Sequence, residues 1–272
     1  MQNSVQVNKG KCIHCGMCIR DCFVECLAFD ENKIPGYSSG DASRCLGCQH
    51  CMSVCPTGAL SFGGVAPETL PKPSFVNSDE MLNMIKSRRS VRKYKQESVS
   101  AEKLAKIQEM LSYPPTGGNF DNLHFSLVGT KEKMDAIRKV TYECIEKMDS
   151  TCPLYSMKGF IDSCTAAGRE VVYCGAPSMI ACAINKSLVA PGCDTVDPII
   201  ALSYFELYAQ SLGLGTLWDD FAVTISNTFP KVYEMLEIPK QYTLGFILVF
   251  GTPAIAYKRV PSKDAHSIKI IL

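Results

Sequence analysis

Tryptophan occurs once in these 272 residues, and histidine four times, at His14, His50, His124 and His266. Scattered singly, those histidines offer no Ser–His–Asp arrangement, so a triad hydrolase is not expected. Excess charge is also missing. A net charge of +1 leaves no basic field for nucleic acid and none for an anionic bilayer. No run of roughly eighteen uninterrupted apolar residues exists, so no membrane span is expected. The opening residues Met-Gln-Asn-Ser-Val-Gln-Val-Asn-Lys hold no apolar core of a secretory leader, and none is expected. With 46% apolar and 20% charged residues, the chain suits a globular protein with a sizeable core, as one large domain or two unequal ones.

Cysteine is what the chain has in abundance. There are 15, and nine precede residue 56. The stretch Cys45-Leu46-Gly47-Cys48-Gln49-His50-Cys51-Met52-Ser53-Val54-Cys55-Pro56 reads C-x2-C-x2-C-x3-C-P, the bacterial ferredoxin spacing. A near copy lies upstream, with Cys12, Cys15, Cys18 and Cys22. A [4Fe-4S] cube has four iron corners, and each takes a soft thiolate. Two-residue gaps let three cysteines of one tight loop face one cube, while the fourth reaches the other. Cys12, Cys15, Cys18 and Cys55 are therefore assigned to one cube, and Cys45, Cys48, Cys51 and Cys22 to the second. Zinc also uses C-x2-C pairs, but commonly as two separated pairs, which a run of four made twice fits poorly. A disulfide framework would strain such short loops.

The two runs match beyond their thiols. Leu27 aligns with Leu60, Phe29 with Phe62, and Cys26 with Ala59, which marks an internal duplication. Cys26 is accordingly read as a small core residue. Phe23 stands where the downstream run has Pro56, a departure that costs no ligand. His14 and His50 fall at non-matching places and are read as tuning or surface residues. The other six cysteines, Cys144, Cys152, Cys164, Cys174, Cys182 and Cys193, are irregularly spaced and read as reduced, buried thiols. Thiolate-held clusters point to a reducing cytoplasm, in a cell that sees little oxygen.

Residues 1–64 form the expected cluster domain, held by metal more than by apolar burial. Residues 65–74, rich in proline after Gly63-Gly64, read as a linker. Residues 75–272 read as a larger α+β domain. Its expected helices run from Ser78 to Ser87, from Ser100 to the Pro114-Pro115 stop, over 131–148, over 197–212 and over 231–236. Strands are expected at 124–128, 177–184 and 242–250, while residues 149–170 show no clear period.

Arg88-Arg89-Ser90-Val91-Arg92 offers guanidinium forks and a hydroxyl, donors that suit a phosphate. A basic helix end also simply complements the helix dipole. Pro114-Pro115-Thr116-Gly117-Gly118-Asn119 is a rigid turn that backbone could lay against a flat ligand, and Gly213-Leu214-Gly215-Thr216 could do the same or merely cap a helix. No G-x-G-x-x-G is present, so no tightly held dinucleotide is indicated. In order and spacing these segments, with Leu217-Trp218, Gly251-Thr252-Pro253 and Lys258-Arg259, resemble the FMN-dependent nitroreductase superfamily. The whole chain looks like a ferredoxin–nitroreductase fusion.

The resemblance implies a set of roles. The fold would wrap helices around a central, mostly antiparallel sheet. Arg88, Ser90 and Arg92 would grip the FMN phosphate, with Arg89, Lys258 and Arg259 helping. Thr116, Gly117 and Asn119 would border the flavin ring, and Gly215 and Thr216 would give backbone contacts near its reactive edge. The family is an interlocked homodimer with flavin at the subunit interface. One departure stands out: the family's usual Asn-x-Gln-Pro is here Asn119-Phe120-Asp121-Asn122, with an acid for an amide. Electrons would pass from an external donor, a ferredoxin-like protein or NAD(P)H, through two [4Fe-4S] clusters to FMN and an electron-poor small molecule such as a nitroaromatic. The alternatives are an electron-transfer module serving a protein partner, and another flavin reaction such as ene-reduction, dehalogenation or flavin metabolism.

Overall fold

The computed structural model describes residues 4–40, 42–264 and 266–271. Contacts divide the chain into two compact units: residues 1–75 with 118–120, and residues 76–117 with 121–272.

The first unit is a duplicated frame of short elements. Strand β1 (Val5–Val7) pairs antiparallel with β4 (Leu60–Phe62), and β2 (Leu27–Phe29) with β3 (Pro35–Tyr37). Two one-turn helices, α1 (Met17–Arg20) and α2 (His50–Ser53), carry the middle of each cysteine run. The repeat extends to the backbone. His14, Gly16 and Glu25 adopt left-handed conformations at φ 56°, 70° and 50°, and Gly47, Gln49 and Gly58 match them at 67°, 61° and 60°. Only glycine adopts this region at no cost, so His14, Gln49 and Glu25 are held there by the surrounding loop. The unit's buried core is small: Cys18, Cys26, Leu27, Met52, Ala59, Leu60 and Phe62. Leu27 and Leu60 are buried alike, as are Cys26 and Ala59, whereas Phe62 is buried and Phe29 is 43% exposed.

The second unit is built on a four-stranded antiparallel sheet. Its strands β5 (Leu123–Val128), β6 (Ser178–Ile184), β7 (Gly215–Trp218) and β8 (Thr243–Gly251) lie in the order β5-β6-β8-β7. Every residue of β6 is buried. Such a strand must be covered on both faces, and the period of two sorts its side chains. Met179, Ala181, Ile247 and Val249 face one core with Met134, Ile137, Ile145 and Ile161. Ile180, Cys182, Leu248 and Phe250 face the other with Ile107, Ala201, Leu202 and Phe205. Helices α5 (Lys131–Glu146), α6 (Tyr155–Ala166), α8 (Asp220–Thr228) and α9 (Pro230–Glu234) serve the first face, and α4 (Ala101–Met110) with α7 (Val196–Ser211) the second. Helix α3 (Ser78–Ser87) completes the set.

Caps set the boundaries. Ser100 and Thr130 each accept a backbone N–H at the start of α4 and α5. For α3 the cap is Asn77, whose Oδ1 accepts from Asp79 and Glu80, and Ser78 is the first helical residue. Residues 155–166 are helical despite their weak period, and β7 and α8 arise where the sequence shows only glycines and a mixed pattern.

Asp219 joins β7 to α8. Its Oδ1 accepts the Ala222 N–H at 2.9 Å, while its buried Oδ2 has no partner among the described residues. Burial, then the carboxylates of Glu170 and Asp220, push its pKa up to about 7 from 3.8. The folded chain therefore binds this proton more tightly than the unfolded chain. This contribution to stability is fully present below the unfolded value and is lost as pH rises through about 7. Asp219→Asn keeps a capping oxygen but cannot ionise. Between about pH 5 and about pH 8, its stability should fall less than the parent's, by on the order of 3 kcal/mol at most, read as a smaller drop in melting temperature. Thermal melts followed by circular dichroism check this, and equal falls would remove Asp219 from the account.

Candidate functional site

The cysteine runs enclose two cavities. The first, of about 300 Å³, is walled by Cys12, Cys15, Cys18 and Cys55 together with Phe29 and Leu60. The second, of about 400 Å³, is walled by Cys22, Cys45, Cys48 and Cys51, with Cys26 beside them. The fourth cysteine of each run thus faces the cavity of the other run. Left-handed Gly16 and Gln49 turn the chain into α1 and α2, which bends each run around its cavity. No disulfide joins any of the 15 cysteines. Among the described residues, no three His, Cys, Asp or Glu side chains converge on one ion position. A zinc ion needs its sulfurs within about 2.3 Å of a single point. Thiols that ring a cavity instead suit a polynuclear cluster. Both histidines of the loops are engaged elsewhere: His14 Nδ1 donates to the Lys33 carbonyl at 2.8 Å, and His50 Nδ1 lies 3.3 Å from Asp21 Oδ2.

In the second unit the arginine segment is tied to the sheet by its backbone. The Val91 N–H donates to the Thr216 carbonyl at 2.9 Å, Lys95 N–H to Thr252 at 2.8 Å, and Ala254 N–H to Lys93 at 2.9 Å. Ser90 forms a bridge with Thr216. This holds Arg88, Arg89, Gly215 and Thr216 in the wall of one cavity of about 1260 Å³, with Lys95 and Tyr257. Arg88 Nη1 donates to Glu206 Oε1 at 3.2 Å, and Thr216 Oγ1 donates to the same oxygen at 3.2 Å. Arg89 Nη1 donates to the carbonyls of Lys86 and Arg88, while its buried Nη2 has no partner among the described residues. An unspent buried guanidinium nitrogen is costly, and an anion entering the cavity relieves that cost.

The remaining candidates lie outside that wall. Arg92 is exposed and donates to the Ser90 carbonyl at 3.3 Å. Lys258 and Arg259 are exposed immediately after Tyr257. Gly117 sits elsewhere, on the loop before β5, where Asp197 Oδ1 and Oδ2 accept its N–H at 3.1 and 3.2 Å. A Cβ at Gly117 would lie 2.5 Å from Cys193 Sγ, so glycine is required there by packing. Gly118, with φ 64°, and Asn119, with φ 55°, carry the turn through left-handed backbone. The Asp121 N–H then donates to Thr116 Oγ1 at 3.0 Å. At Gly215 the reason is again packing: a Cβ would meet Val91 Cγ2 at 2.4 Å.

Two acids escaped the sequence reading. Asp197 and Glu206 are the only charged residues of α7 and are 2% and 8% exposed. Acids inside an otherwise apolar helix need partners, and that signal was present. Asp197 pins the glycine loop, and Glu206 orients Arg88.

Residues 85–252 match the model of the nitroreductase family, and residues 11–59 match a 4Fe-4S dicluster domain. A relative in Methanothermobacter thermautotrophicus, named as an NADH dehydrogenase/NAD(P)H nitroreductase, is 25% identical over 180 residues, covering 66% of this chain and 80% of its own. The fold is shared with a Bacteroides fragilis nitroreductase solved with FMN, at 22% identity and TM-score 0.57, covering 72% of this chain and 100% of that one. It is shared too with a Desulfitobacterium hafniense nitroreductase solved with FMN, at 24% identity and TM-score 0.55, covering 71% and 99%.

Asp197→Ala removes both acceptors of the Gly117 N–H and leaves a cavity inside α7. It should destabilise the second unit by about 1–3 kcal/mol. Asp197→Asn, which keeps one acceptor oxygen, should lose less. Urea midpoints of the two variants read this, and identical losses would show that the hydrogen bonds to Gly117 contribute nothing.

Proposed function

Because this chain belongs to the nitroreductase family and carries a 4Fe-4S dicluster domain ahead of that segment, we propose an oxidoreductase that passes electrons from an external low-potential donor through two [4Fe-4S] clusters to FMN. Its substrates are nitroaromatic or similarly electron-poor small molecules. The observation that carries the reading is the sorting of eight thiols into two rings, Cys12, Cys15, Cys18 and Cys55 around one cavity and Cys22, Cys45, Cys48 and Cys51 around the other.

The residues present fit both kinds of cofactor. The thiol rings suit cubes, and the unspent Arg89 Nη2 beside Arg88 suits a phosphate. When bound, the clusters carry single electrons, and the flavin accepts one or two and can pass on a hydride. The protein's own part is to hold and orient. Glu206 fixes the Arg88 guanidinium from behind, leaving its other donors for phosphate oxygens. Ser90, Arg92, Lys258 and Arg259 flank the same cavity along the chain and complete the grip in this reading. Thr116, Gly117 and Asn119 border the ring.

Since Gly117 is pinned to α7, away from the arginine cavity's wall, the reading includes a homodimer in which a second copy supplies the ring-side loop. Apolar side chains short of full burial support it: half-buried Met81, Met84, Met110 and Tyr208 line one groove with exposed Tyr204, and Ile268 and Ile270 are largely exposed in the C-terminal segment. The proposed domains are 1–64 for the clusters, 65–74 as linker and 75–272 for the flavin. The proposed setting is the cytoplasm, where thiols stay reduced; among the described residues no helix is long and apolar enough to cross a membrane.

The test uses the full chain reconstituted anaerobically with iron, sulfide and FMN. Its spectrum should combine a broad cluster band with flavin features, and acid should release FMN. Reduced ferredoxin should drive rapid reduction of a nitroaromatic. Arg88→Ala should weaken FMN binding on the order of tenfold or more, by loss of a charged phosphate contact. Fast electron exchange with a protein, without small-molecule turnover, would replace this reading by that of an electron-transfer module.

A further inference from the structure

The two thiol rings are not equal. Four cysteines wall the first cavity, and five the second. The additional one is Cys26, which is 4% exposed, with its Sγ 3.5 Å from Cys22 Sγ. The matching place in the downstream run is Ala59. There Cys55, the assigned ligand, has no sulfur within hydrogen-bond contact among the described residues. Its sulfur accepts the Ala59 N–H at 3.2 Å and has Thr57 Oγ1 at 3.7 Å.

The backbone does not explain the difference. Glu25 and Gly58, the residues just before, are both left-handed. Their N–H groups donate to the carbonyls of Cys22 and Cys55 at 2.9 and 3.3 Å. The chain follows the same path twice, and at its end the first run presents a sulfur where the second presents a methyl. A small buried hydrophobe would serve the core equally well as alanine, which is what the downstream copy uses. The sulfur adds something an alanine lacks: a second soft ligand on the wall that Cys22 occupies.

Resting on the cluster assignment above, we infer that Cys26 is a reserve ligand of the second cluster, placed to take over the iron corner held by Cys22. The exchange balances without redox change. One iron–sulfur bond to Cys22 breaks, one to Cys26 forms, and the proton of the Cys26 thiol passes across the sulfur–sulfur contact to Cys22. No electron moves. The first cluster has no such reserve, so the two clusters differ in their tolerance to loss of the crossing cysteine.

The test is made on the full chain, reconstituted anaerobically, by iron and sulfide content and by electron paramagnetic resonance of the reduced protein. The parent and Cys26→Ala should each hold about eight irons, two cubes' worth. Cys55→Ala should lose the first cube or keep a three-iron remnant. Cys22→Ala should retain two four-iron clusters, with one resonance signal altered, and Cys22→Ala/Cys26→Ala should fall to the level of Cys55→Ala. A Cys22→Ala protein as iron-poor as Cys55→Ala would overturn the inference. If Cys22→Ala does not fold, the reciprocal pair decides: Cys55→Ala/Ala59→Cys should regain the first cube, and failure to do so sinks the idea. A parent that binds no clusters at all would instead refute the cluster assignment itself.

Discussion

Thiolates repel one another, and that repulsion governs the N-terminal unit. Eight sulfurs cannot face two small cavities as anions unless cations lie between them. Among the described residues the unit's buried apolar core is only seven residues, two of them cysteines. Frames this small generally need a metal or disulfides to fold, and no disulfide is present here. The left-handed residues His14, Gln49 and Glu25 add backbone cost on top. Folding and metal binding are therefore one event in this part of the chain, and the spacing of the cysteines follows from the shape of what they must surround.

The larger unit solves its problem differently. Its sheet is buried on both faces, and apolar packing alone fixes β6 and β8. Two of its buried acids hold a loop and a cation, Asp197 the Gly117 N–H and Glu206 the Arg88 guanidinium. Glu206 illustrates the logic. A guanidinium at the rim of a cavity is free to swing into solvent, and binding an anion would then cost its ordering. By accepting from both Arg88 and Thr216, Glu206 ties the cation to the helix and to the first strand residues that line the same cavity. The cost is charge: an acid beside Arg88 offsets part of its attraction for phosphate. Arg89, whose Nη2 stays unspent, has no acidic partner among the described residues.

How much of this the sequence discloses depends on what enforces each feature. The two rings of cysteines are legible because iron coordination would dictate both residue type and spacing, and the placement of Cys22 and Cys55 on opposite cavities follows the same rule. β6 and the helix starting at Ser100 are legible because burial and capping act locally. Helix α6 was not, since its exposed Tyr155, Met157 and Phe160 blur the apolar period. β7 was not, because four residues between a glycine cap and Asp219 are too few to show alternation. The arginines were legible as donors, but their neighbours were not: nothing local links Arg88 to Glu206 across the fold, and only the oddity of an acid inside an otherwise apolar helix marks it. Gly117 and Gly215 were read as openings for a ligand, yet both are demanded first by Cys193 and Val91 packed against them.

The duplicated unit carries the same lesson further. A repeat makes each difference between its halves informative, because the matching half shows what the frame alone requires. Phe62 is buried and Phe29 is half out, so apolar burial at that position is optional for the frame. Gly58 and Glu25 share one backbone shape, so the turn tolerates a side chain at some strain. Ala59 and Cys26 are buried alike, so volume does not ask for sulfur. What remains to account for the thiol at Cys26 is its chemistry toward whatever fills the second cavity, and the Cys22 sulfur lies 3.5 Å from it. At this position of the two sites the difference is one sulfur, on a turn whose backbone is the same in both.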